Sequence, residues 1–304
     1  MNFLLFETIY ERVVVLMNKN DLRHAQRCQL YICTEIDRIC RENEIDYWLD
    51  SGSLLGAVRH GGFIPWDDDL DVGMFRDDYE RFIKIAESKL SDDFLIQTWN
   101  NDYSYAWPFA KIQLVNTRYV EKCSSDDEKL RGIYVDIFPY DNFPNKTDRY
   151  QGKLILFYKV MLKAKCKNKP WFIGGRFDVK RYLAYIPIRF LSCFYKKDYL
   201  IKKYDLCAKK YNKNPTSRCF SQGIERYGDW VFPKDVFSKI VRIKFEDCLL
   251  SAPSDYRKYL TCAYGDYMKL PPENERENRH GIIDLDFGKF DDEYLDKVLN
   301  TYHL

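Results

Sequence analysis

Residues 52–74 read GSLLGAVRHGGFIPWDDDLDVGM, and this stretch carries aspartates at positions 67, 68, 69 and 71. Charged and apolar residues alternate from Asp69 to Val72, and the side chains of a strand alternate between its two faces. As a strand, the segment turns Asp69 and Asp71 to one face and buries Leu70 and Val72 on the other. Adjacent carboxylates repel each other, so we expect a cation to bridge them. Oxygen ligands at this spacing suit Mg²⁺ or Mn²⁺, and Mg²⁺ suits phosphates.

A Gly-Ser pair precedes the acidic cluster. Gly52-Ser53 follows a short strand-like run at residues 47–49 and leads into an apolar, helix-like run at residues 54–58. A Gly-Ser turn between a strand and a helix exposes backbone N–H groups and a hydroxyl, which can hold a phosphate. The sequence therefore predicts phosphate binding at Gly52 and Ser53, next to the cation. An acidic cluster taken alone is also compatible with a solvated turn.

One carboxylate interrupts an apolar run later in the chain. Residues 132–138 read GIYVDIF and predict a strand that contains Asp136 and ends at Pro139. A charge in such a run is costly unless it is paired or bound to a metal. Asp136 is therefore a candidate functional residue. The alternative is that its carboxylate caps a turn at Pro139.

Two basic residues lie on strands predicted before that carboxylate. Residues 107–115 and 118–121 read as two strands of a hairpin that turns through Asn116-Thr117. Lys111 lies on the first strand and Arg118 begins the second, so either can reach a phosphate in an active-site cleft. The alternative is that both are ordinary solvent-facing charges.

Capping residues and apolar periodicity predict the surrounding elements. A helix is expected from Asp21 to Asn43, capped by Asn20 or Asp21, and a second from Asp77, with Glu80 completing a capping box. Further along, the patterns predict a strand at residues 240–245, a helix at 256–263 and a final helix that starts at the acidic cluster 291–293.

Charge is distributed unevenly along the 304 residues, although the net charge is only +2. Residues 149–213 contain 18 Lys and Arg against 3 Asp, a local charge of +15 that leaves −13 for the remainder. Helix-like segments here are broken at residues 169–170, 174–175 and 186–187. Such a surface suits anionic partners, either lipid head groups, a pyrophosphate-linked glycan carrier or nucleic acid. The alternative is a set of solvated surface helices, and the sequence shows no RNA-recognition signature.

Cysteine spacing and the N-terminal residues indicate the compartment. The ten cysteines form no C-x-x-C pair, which argues against a zinc knuckle, and reduced thiols in a cytosolic protein are the simplest account. Glu7, Glu11 and Arg12 interrupt the apolar residues 1–21, so we expect neither a signal peptide nor a membrane span there. An amphipathic helix that packs on the core or on a partner is expected instead.

The order strand, Gly-Ser turn, helix and Asp-x-Asp strand resembles the polymerase-β-like nucleotidyltransferase fold. More specifically, residues 52–74 resemble the LicD family of phosphotransferases, and so do residues 110–117 and the pieces YGDY (264–267) and LPP (270–272). The resemblance covers about residues 21–140 and 240–280. It implies an α/β (α+β) protein with a nucleotidyltransferase-like mixed sheet, a helical insertion and a helical C-terminal part. The expected division is a catalytic core at 1–144, a basic helical insertion at 145–215, and residues 216–304 completing the catalytic domain.

The resemblance also implies an activity and a site. LicD enzymes move a phospho-alcohol such as phosphocholine from a CDP-activated donor onto a hydroxyl of a cell-surface glycan, and CMP is released. Polymerase-β-like enzymes complete their site with a third carboxylate from a later strand, and Asp136 matches that position. The implied catalytic and Mg²⁺ (or Mn²⁺) ligands are Asp69, Asp71 and Asp136. The implied donor-phosphate ligands are Gly52, Ser53, Arg59, Lys111 and Arg118.

The expected partners are a CDP-choline-like donor and a glycan acceptor of lipopolysaccharide, capsule or teichoic acid, either lipid-linked or soluble. No nucleic acid partner is expected. The expected location is the cytoplasm, with contact at the inner face of an anionic membrane if the basic segment binds lipid. Three alternatives stay open, namely a nucleotidyltransferase that uses a nucleoside triphosphate, a transferase of a CMP-activated phosphonate, and a non-catalytic glycan- or lipid-binding module.

Overall fold

The computed structural model describes residues 17–121, 131–166, 172–173, 176–177, 179–223, 227–278 and 281–302. The helices in these ranges are α1 (Lys19–Glu42), α2 (Ser51–His60), α3 (Arg76–Lys89), α4 (Arg149–Lys165), α5 (Val179–Cys193), α6 (Lys197–Ala208), α7 (Tyr256–Tyr264) and α8 (Asp292–Asn300). The strands are β1 (Trp48–Leu49), β2 (Asp71–Phe75), β3 (Phe94–Gln97), β4 (Ala110–Leu114), β5 (Arg118–Glu121), β6 (Tyr134–Phe143), β7 (Phe172–Ile173), β8 (Arg176–Phe177), β9 (Arg218–Ser221), β10 (Val231–Pro233), β11 (Ile240–Phe245), β12 (Cys248–Pro253) and β13 (Ile282–Asp286). Short 3-10 helices lie at Lys209–Tyr211, Lys234–Phe237 and Glu273–Glu275. The helix predicted around Glu7 and Glu11 and the breaks predicted at 169–170 and 174–175 lie outside the described residues.

A mixed sheet forms the centre of the protein, which confirms the predicted α/β class. Its strands run in the order β1-β2-β6-β4-β3, with β9 paired to β6 and β10 paired to β9. β2 and β6 are parallel, and the other neighbours in this sheet are antiparallel. Both β2 and β6 are rich in wholly buried apolar side chains, so this parallel pair lies at the core of the fold.

Helix ends in the described residues follow caps that only partly match the prediction. α1 begins at Lys19, because the Asn18 side chain accepts the backbone N–H groups of Asn20 and Asp21. α3 begins directly after β2 without a side-chain cap, so the predicted capping box does not form. Glu80 instead pairs with Lys209. The predicted starts of α7 and α8 are confirmed, with Asp255 and Asp291 as their caps.

The hairpin predicted between β4 and β5 is wrong. Both edges of β4 are already occupied, since β4 lies between β3 and β6. β5 therefore has no edge of β4 to pair with, and it pairs with the distant strand β13 instead. The chain leaves the sheet at Asn116, whose φ is +56°.

The strand that carries Asp136 does not end at Pro139. β6 continues through this proline to Phe143, and Pro139 lies opposite Met74 of β2 in the parallel register. Its carbonyl accepts the backbone N–H of Gln222. The interpretation of Asp136 as the cap of a turn is therefore wrong, because Asp136 lies inside a continuous strand.

Helices α4 and α6 pack around a second hydrophobic cluster, separate from the main core. Its fully buried members include Leu162, Leu200 and Tyr204, together with Phe143 of β6 and Phe220 of β9. This cluster attaches the basic helical segment to the far end of β6. None of the helices in the described ranges has the length and the apolar character needed to cross a membrane.

A buried ion pair joins α3 to the same end of β6. Arg76 donates to Asp141 through Nε (3.0 Å) and Nη2 (2.7 Å), and both side chains are buried. Asn212 and Gln222 donate two further hydrogen bonds to this carboxylate. Burial alone raises the pKa of Asp141, but Arg76 and these hydrogen bonds outweigh it and hold the pKa below its usual value. The pair therefore contributes stability above the unfolded-state pKa of Asp, which is lost as the pH falls through the lower folded-state pKa.

Arg76→Met removes the cation and leaves the Asp141 charge buried without it. We expect the free energy of unfolding at neutral pH to fall by about 3–5 kcal/mol in urea denaturation. Arg81→Met on the same helix removes an exposed pair with Asp78 and serves as the control, with an expected loss of about 1 kcal/mol or less. Equal losses in the two variants would contradict a special role for the buried pair.

Candidate active site

The parallel register of β2 and β6 brings two carboxylates side by side. Asp71, the first residue of β2, lies opposite Asp136 of β6, and the N–H of Asp136 donates to the carbonyl of Leu70 at 3.1 Å. Asp69 lies just before β2. Leu70 and Val72 are fully buried, which confirms the predicted burial of this face. The Asp-x-Asp run therefore meets the third predicted carboxylate at the start of the parallel pair.

A cavity of about 650 Å³ opens at this place. It is lined by five of the predicted site residues, Gly52, Arg59, Asp69, Asp71 and Asp136. Its other acidic and basic lining residues are Asp67, Asp266, Lys269 and Glu277. Its aromatic and remaining lining residues include Trp66, Phe138, Ser221, Trp230, Tyr264, Tyr267 and Pro271. Residues far apart in the sequence thus line one cavity with both carboxylates and aromatic rings.

Ser53 lies next to this cavity, but its hydroxyl contacts the backbone. Ser53 Oγ accepts the N–H of Asp71 at 2.8 Å, and the side chain is buried. The hydroxyl therefore fixes the start of β2 relative to α2. The structure gives Ser53, a predicted phosphate ligand, a positioning contact to Asp71.

The N-terminus of α2 approaches the acidic cluster closely. Asp50 caps this helix by accepting the N–H of Ser51, and Tyr140 and Tyr259 donate to the same carboxylate oxygen. A Cβ atom on Gly52 would lie 2.8 Å from Oδ2 of Asp67. A side chain at position 52 would therefore require the Asp67 carboxylate to shift.

Lys111 contacts Asp136 from the neighbouring strand. The two residues are opposite each other in the antiparallel pair of β4 and β6, and Lys111 Nζ lies 2.9 Å from Oδ1 of Asp136. The ammonium group also lies 3.2 Å from the centroid of the Tyr134 ring. Lys111 is therefore placed to balance the charge of Asp136 from behind the cavity wall.

Arg118 lies away from the cavity. It is the first residue of β5, is more than half exposed, and pairs with Asp284 and Asp286 of β13 at 3.0 Å each. Our expectation that it contacts a donor phosphate depended on the hairpin with β4, which does not form. Pairing with β13 places Arg118 beside Asp284 and Asp286 rather than in the cavity.

Arg59 lines the same cavity as the carboxylates. Its Nη1 donates to the carbonyl of Tyr267 at 3.0 Å, which ties α2 to the loop at residues 264–277. Burial lowers the pKa of this guanidinium from its ordinary value, which still leaves it charged near neutral pH. The cavity lining thus contains a basic group as well as the acidic residues.

Burial and charge crowding raise the pKa values of the central carboxyl groups. Burial has the largest effect at Asp71, and the charges of Asp69 and Asp136 raise its pKa further. Burial also raises the pKa of Asp136, to about 6, although the Lys111 ammonium opposes the shift. A divalent cation between such groups would relieve the repulsion, and carboxylate oxygens are ligands that Mg²⁺ accepts.

The tightest carboxylate group in the described residues shares one member with the predicted set of Asp69, Asp71 and Asp136. Oxygens of Asp67, Asp68 and Asp69 lie within 4.8 Å of one another. Asp68 is buried, and its backbone carbonyl holds Gln29 and Tyr119. Asp69 belongs to both sets, which makes Asp67 an additional candidate ligand beside the predicted ones.

Several lining residues were not predicted as site residues. Asp67 belongs to the quoted acidic run, so its position two residues before Asp69 was an available signal. Trp66 lies in the same stretch, and Tyr264 lies in one of the pieces used for the family resemblance. Trp230 comes from a segment without any recognisable pattern, and only the tertiary structure brings it to the cavity.

Comparisons with known proteins agree with this geometry. Residues 44–162 match the family described as LicD/FKTN/FKRP, nucleotidyltransferase domain. Over 270 residues the chain is 30% identical to the Lipopolysaccharide cholinephosphotransferase LicD of Haemophilus influenzae, covering 87% of this chain and 97% of that protein. It is 36% identical over 103 residues to the Uncharacterized protein RP689 of Rickettsia prowazekii, covering 34% of this chain and 35% of that protein. It is also 59% identical over 34 residues to the Ribitol 5-phosphate transferase FKRP of Homo sapiens, covering 11% of this chain and 7% of that protein.

The long alignment extends from the sheet through the basic helices to the C-terminal part, so the similarity is not restricted to one motif. The chain is accordingly a phosphotransferase. It belongs to the LicD family.

Asp71→Asn should raise thermal stability in EDTA. The folded-state pKa of Asp71 lies above its ordinary value, so its ionised form costs stability at neutral pH, and this cost disappears as the pH falls through the folded-state pKa. We expect the variant to melt at a higher temperature than the wild type at pH 8, with the difference shrinking on acidification. Added Mg²⁺ should stabilise the wild type more than the variant.

Asp77→Asn is the matched control, since Asp77 is exposed in the first turn of α3. It should change neither the melting temperature in EDTA nor the response to Mg²⁺. A lower melting temperature for Asp71→Asn in EDTA would contradict charge crowding at this position.

Proposed function

We propose that this enzyme transfers a phospho-alcohol, such as phosphocholine, from a CDP-activated donor to a hydroxyl of a cell-surface glycan. The acceptor oxygen attacks the distal phosphorus, the bond from that phosphorus to the bridging oxygen breaks, and CMP leaves with the bonding electrons. The acceptor proton passes to a carboxylate of the enzyme. Relatives named as a lipopolysaccharide cholinephosphotransferase and a ribitol 5-phosphate transferase support a glycan acceptor and a phospho-alcohol group.

One observation carries this proposal. Asp69, Asp71 and Asp136 converge on one cavity of about 650 Å³, within the general size range of small-molecule sites. Carboxylates alone would repel the negative charge of a phosphate ester. The carboxylates therefore support a bound divalent cation, and the cavity leaves room for the donor.

Asp69, Asp71 and Asp136 would hold Mg²⁺ or Mn²⁺, with Asp67 close to them. When bound, the ion would supply positive charge to the donor phosphates as the pyrophosphate bond opens. The protein's own contribution is rigid placement. Ser53 fixes the backbone N–H of Asp71, and the strand register fixes Asp71 beside Asp136.

Asp136 is the carboxylate that we propose as proton acceptor. An ionised carboxylate that lines the cavity can take a proton from an attacking hydroxyl. Lys111 opposes the effect of burial and so keeps Asp136 ionised. Arg59, which lines the same cavity, would bind a donor phosphate oxygen.

The aromatic residues that line the cavity support a cationic alcohol in the donor. Trp230 and Tyr264 both line the cavity, with their ring centroids 5.7 Å apart and their planes at 82°. Asp266, two residues after Tyr264, also lines the cavity. Aromatic faces attract a quaternary ammonium group, whereas an uncharged polyol gains little from them. Trp230 and Tyr264 therefore favour a choline ester over a ribitol ester.

A reducing compartment agrees with a nucleotide-activated donor, and we propose a cytoplasmic location. All nine cysteines in the described residues are free thiols, and most are buried in apolar surroundings. Burial raises the pKa of thiols such as Cys28, which makes them unreactive. Such thiols behave as small hydrophobic side chains.

The test is donor turnover with water as the acceptor, followed as CMP release from CDP-choline. We expect release that depends on Mg²⁺ and stops in EDTA. Asp69→Asn and Asp71→Asn should each retain less than about a tenth of the wild-type rate, a loss of at least about 1.4 kcal/mol in transition-state stabilisation. Asp77→Asn should keep the full rate.

The same assay includes CTP, ATP, the CDP ester of ribitol and a CMP-activated phosphonate. Pyrophosphate release from a nucleoside triphosphate would identify a nucleotidyltransferase instead. Undiminished turnover in EDTA would remove the metal from the mechanism. Binding of CDP-choline without turnover in any variant or buffer would favour a non-catalytic module.

Trp230→Leu should lower the affinity for CDP-choline about 3- to 30-fold by loss of a cation–π contact. Its affinity for the CDP ester of ribitol should stay within about twofold, since that donor has no cation. Calorimetry on both donors measures the difference. An equal loss for both would show that Trp230 supports the nucleotide or the cavity wall rather than the alcohol.

A further inference from the structure

Helix α5 carries a stripe of large apolar side chains that face solvent. Val179, Leu183, Ile186, Phe190 and Phe194 are 57%, 60%, 47%, 68% and 70% exposed. Their spacings of four, three, four and four residues place them on one face of a helix and its extension. The rings of Phe190 and Phe194 also contact each other, with centroids 5.2 Å apart.

The opposite face of α5 attaches the helix to the protein. Tyr185 and Ser192 are buried, and their spacing of seven residues places them on one side. The Tyr185 hydroxyl and the Arg189 guanidinium both donate to the carbonyl of Ala164 near the end of α4. The apolar stripe is therefore the outward face of an anchored helix.

The charge around this stripe is strongly positive. No Asp or Glu occurs from Val179 to Lys197, and residues 149–213 carry a net charge of +15. Lys180, Lys196 and Lys202 are exposed in the described structure. Asp178 and Asp198 flank this range in the sequence, but the range itself carries only cations, and an apolar stripe in a positively charged segment matches a surface that is apolar inside and negative outside.

Some of the basic residues do not contribute to this surface. Lys197 is buried, and its Nζ donates to the carbonyl of Asp102 at 2.7 Å. Lys159 is also buried and donates to the carbonyl of Gly223 at 2.6 Å. Charge counted along the sequence therefore exceeds the charge available to a partner, and only the exposed lysines belong in a test.

We propose that α5 docks this enzyme on an anionic phospholipid surface, with the stripe from Val179 to Phe194 inserted among the acyl chains. The helix would lie in the plane of the interface, with the exposed lysines at the head groups. Tyr182 and Tyr195, both more than a third exposed, would lie at the polar boundary. Docking of this kind would bring the enzyme to an acceptor carried by a lipid, and it does not depend on which donor alcohol is used.

Charge complementarity selects lipid over a second copy of the chain. Two copies placed stripe to stripe would bring two positively charged segments together, which is unfavourable. An anionic bilayer instead offers both an apolar interior and negative head groups.

The experiment measures partitioning of the full-length protein into vesicles of about 30% anionic phospholipid at about 20 mM salt. We expect clear binding by the wild type and at least about a tenfold weaker partition for Phe190→Ser/Phe194→Ser. Leu95→Ser/Tyr103→Ser is the matched control, since those side chains are 43% and 63% exposed elsewhere, and its partition should change by less than about twofold. Lys180→Gln/Lys196→Gln/Lys202→Gln should weaken binding about a hundredfold at low salt, with the difference mostly lost at about 500 mM salt.

Three results would overturn the proposal. The first is no partition of the wild type into anionic vesicles at low salt. The second is equal binding to purely zwitterionic vesicles. The third is a wild type that is dimeric by light scattering, becomes monomeric in Phe190→Ser/Phe194→Ser, and binds no vesicles. Because partition is measured without a donor, failure here leaves the proposed transferase activity untouched, and loss of CMP release leaves the docking surface untouched.

Discussion

The parallel pairing of β2 with β6 is the constraint on which the rest of the structure depends. At the start of the pair, Asp71 lies beside Asp136, and at its end Phe75 lies beside Tyr140. Directly after these two residues, Arg76 at the start of α3 and Asp141 within β6 form the buried ion pair. One pair of strands therefore holds two like charges together at one end and is clamped by opposite charges at the other.

These two charged groups show how one fold treats buried charge in opposite ways. Asp141 is satisfied by Arg76 and two amide donors, and its pKa is lowered. Asp71 is crowded by other carboxylates, and its pKa is raised. A satisfied group stabilises the protein and is inert, whereas a crowded group costs stability and is suited to bind a cation. The difference separates the structural end of the pair from the end that forms the candidate active site.

The basic helices extend this arrangement to a second surface. Phe143 at the far end of β6 packs into the cluster formed by α4 and α6, so these helices are attached to the strand that carries Asp136. α5 in turn attaches to the end of α4 through Tyr185 and Arg189. A surface suited to a negatively charged partner is thereby linked through packed elements to the carboxylate cavity.

The sequence by itself determined the features that depend on neighbouring residues. The alternation of a strand predicted the burial of Leu70 and Val72, and the capping residues Asp255 and Asp291 predicted where their helices begin. Both rules depend only on residues a few positions apart in the chain. The acidic run and its resemblance to one family predicted the candidate carboxylates.

Only the tertiary structure decided which groups meet across the chain, since strand pairing and burial depend on edges already occupied and on partners far away in sequence. Arg118 does not line the cavity, because β4 has no free edge and β5 pairs with β13. Lys197 is buried and donates a hydrogen bond to a backbone carbonyl, so it is not a surface charge. Trp230 reached the cavity by the same long-range folding, without any local signal in its sequence.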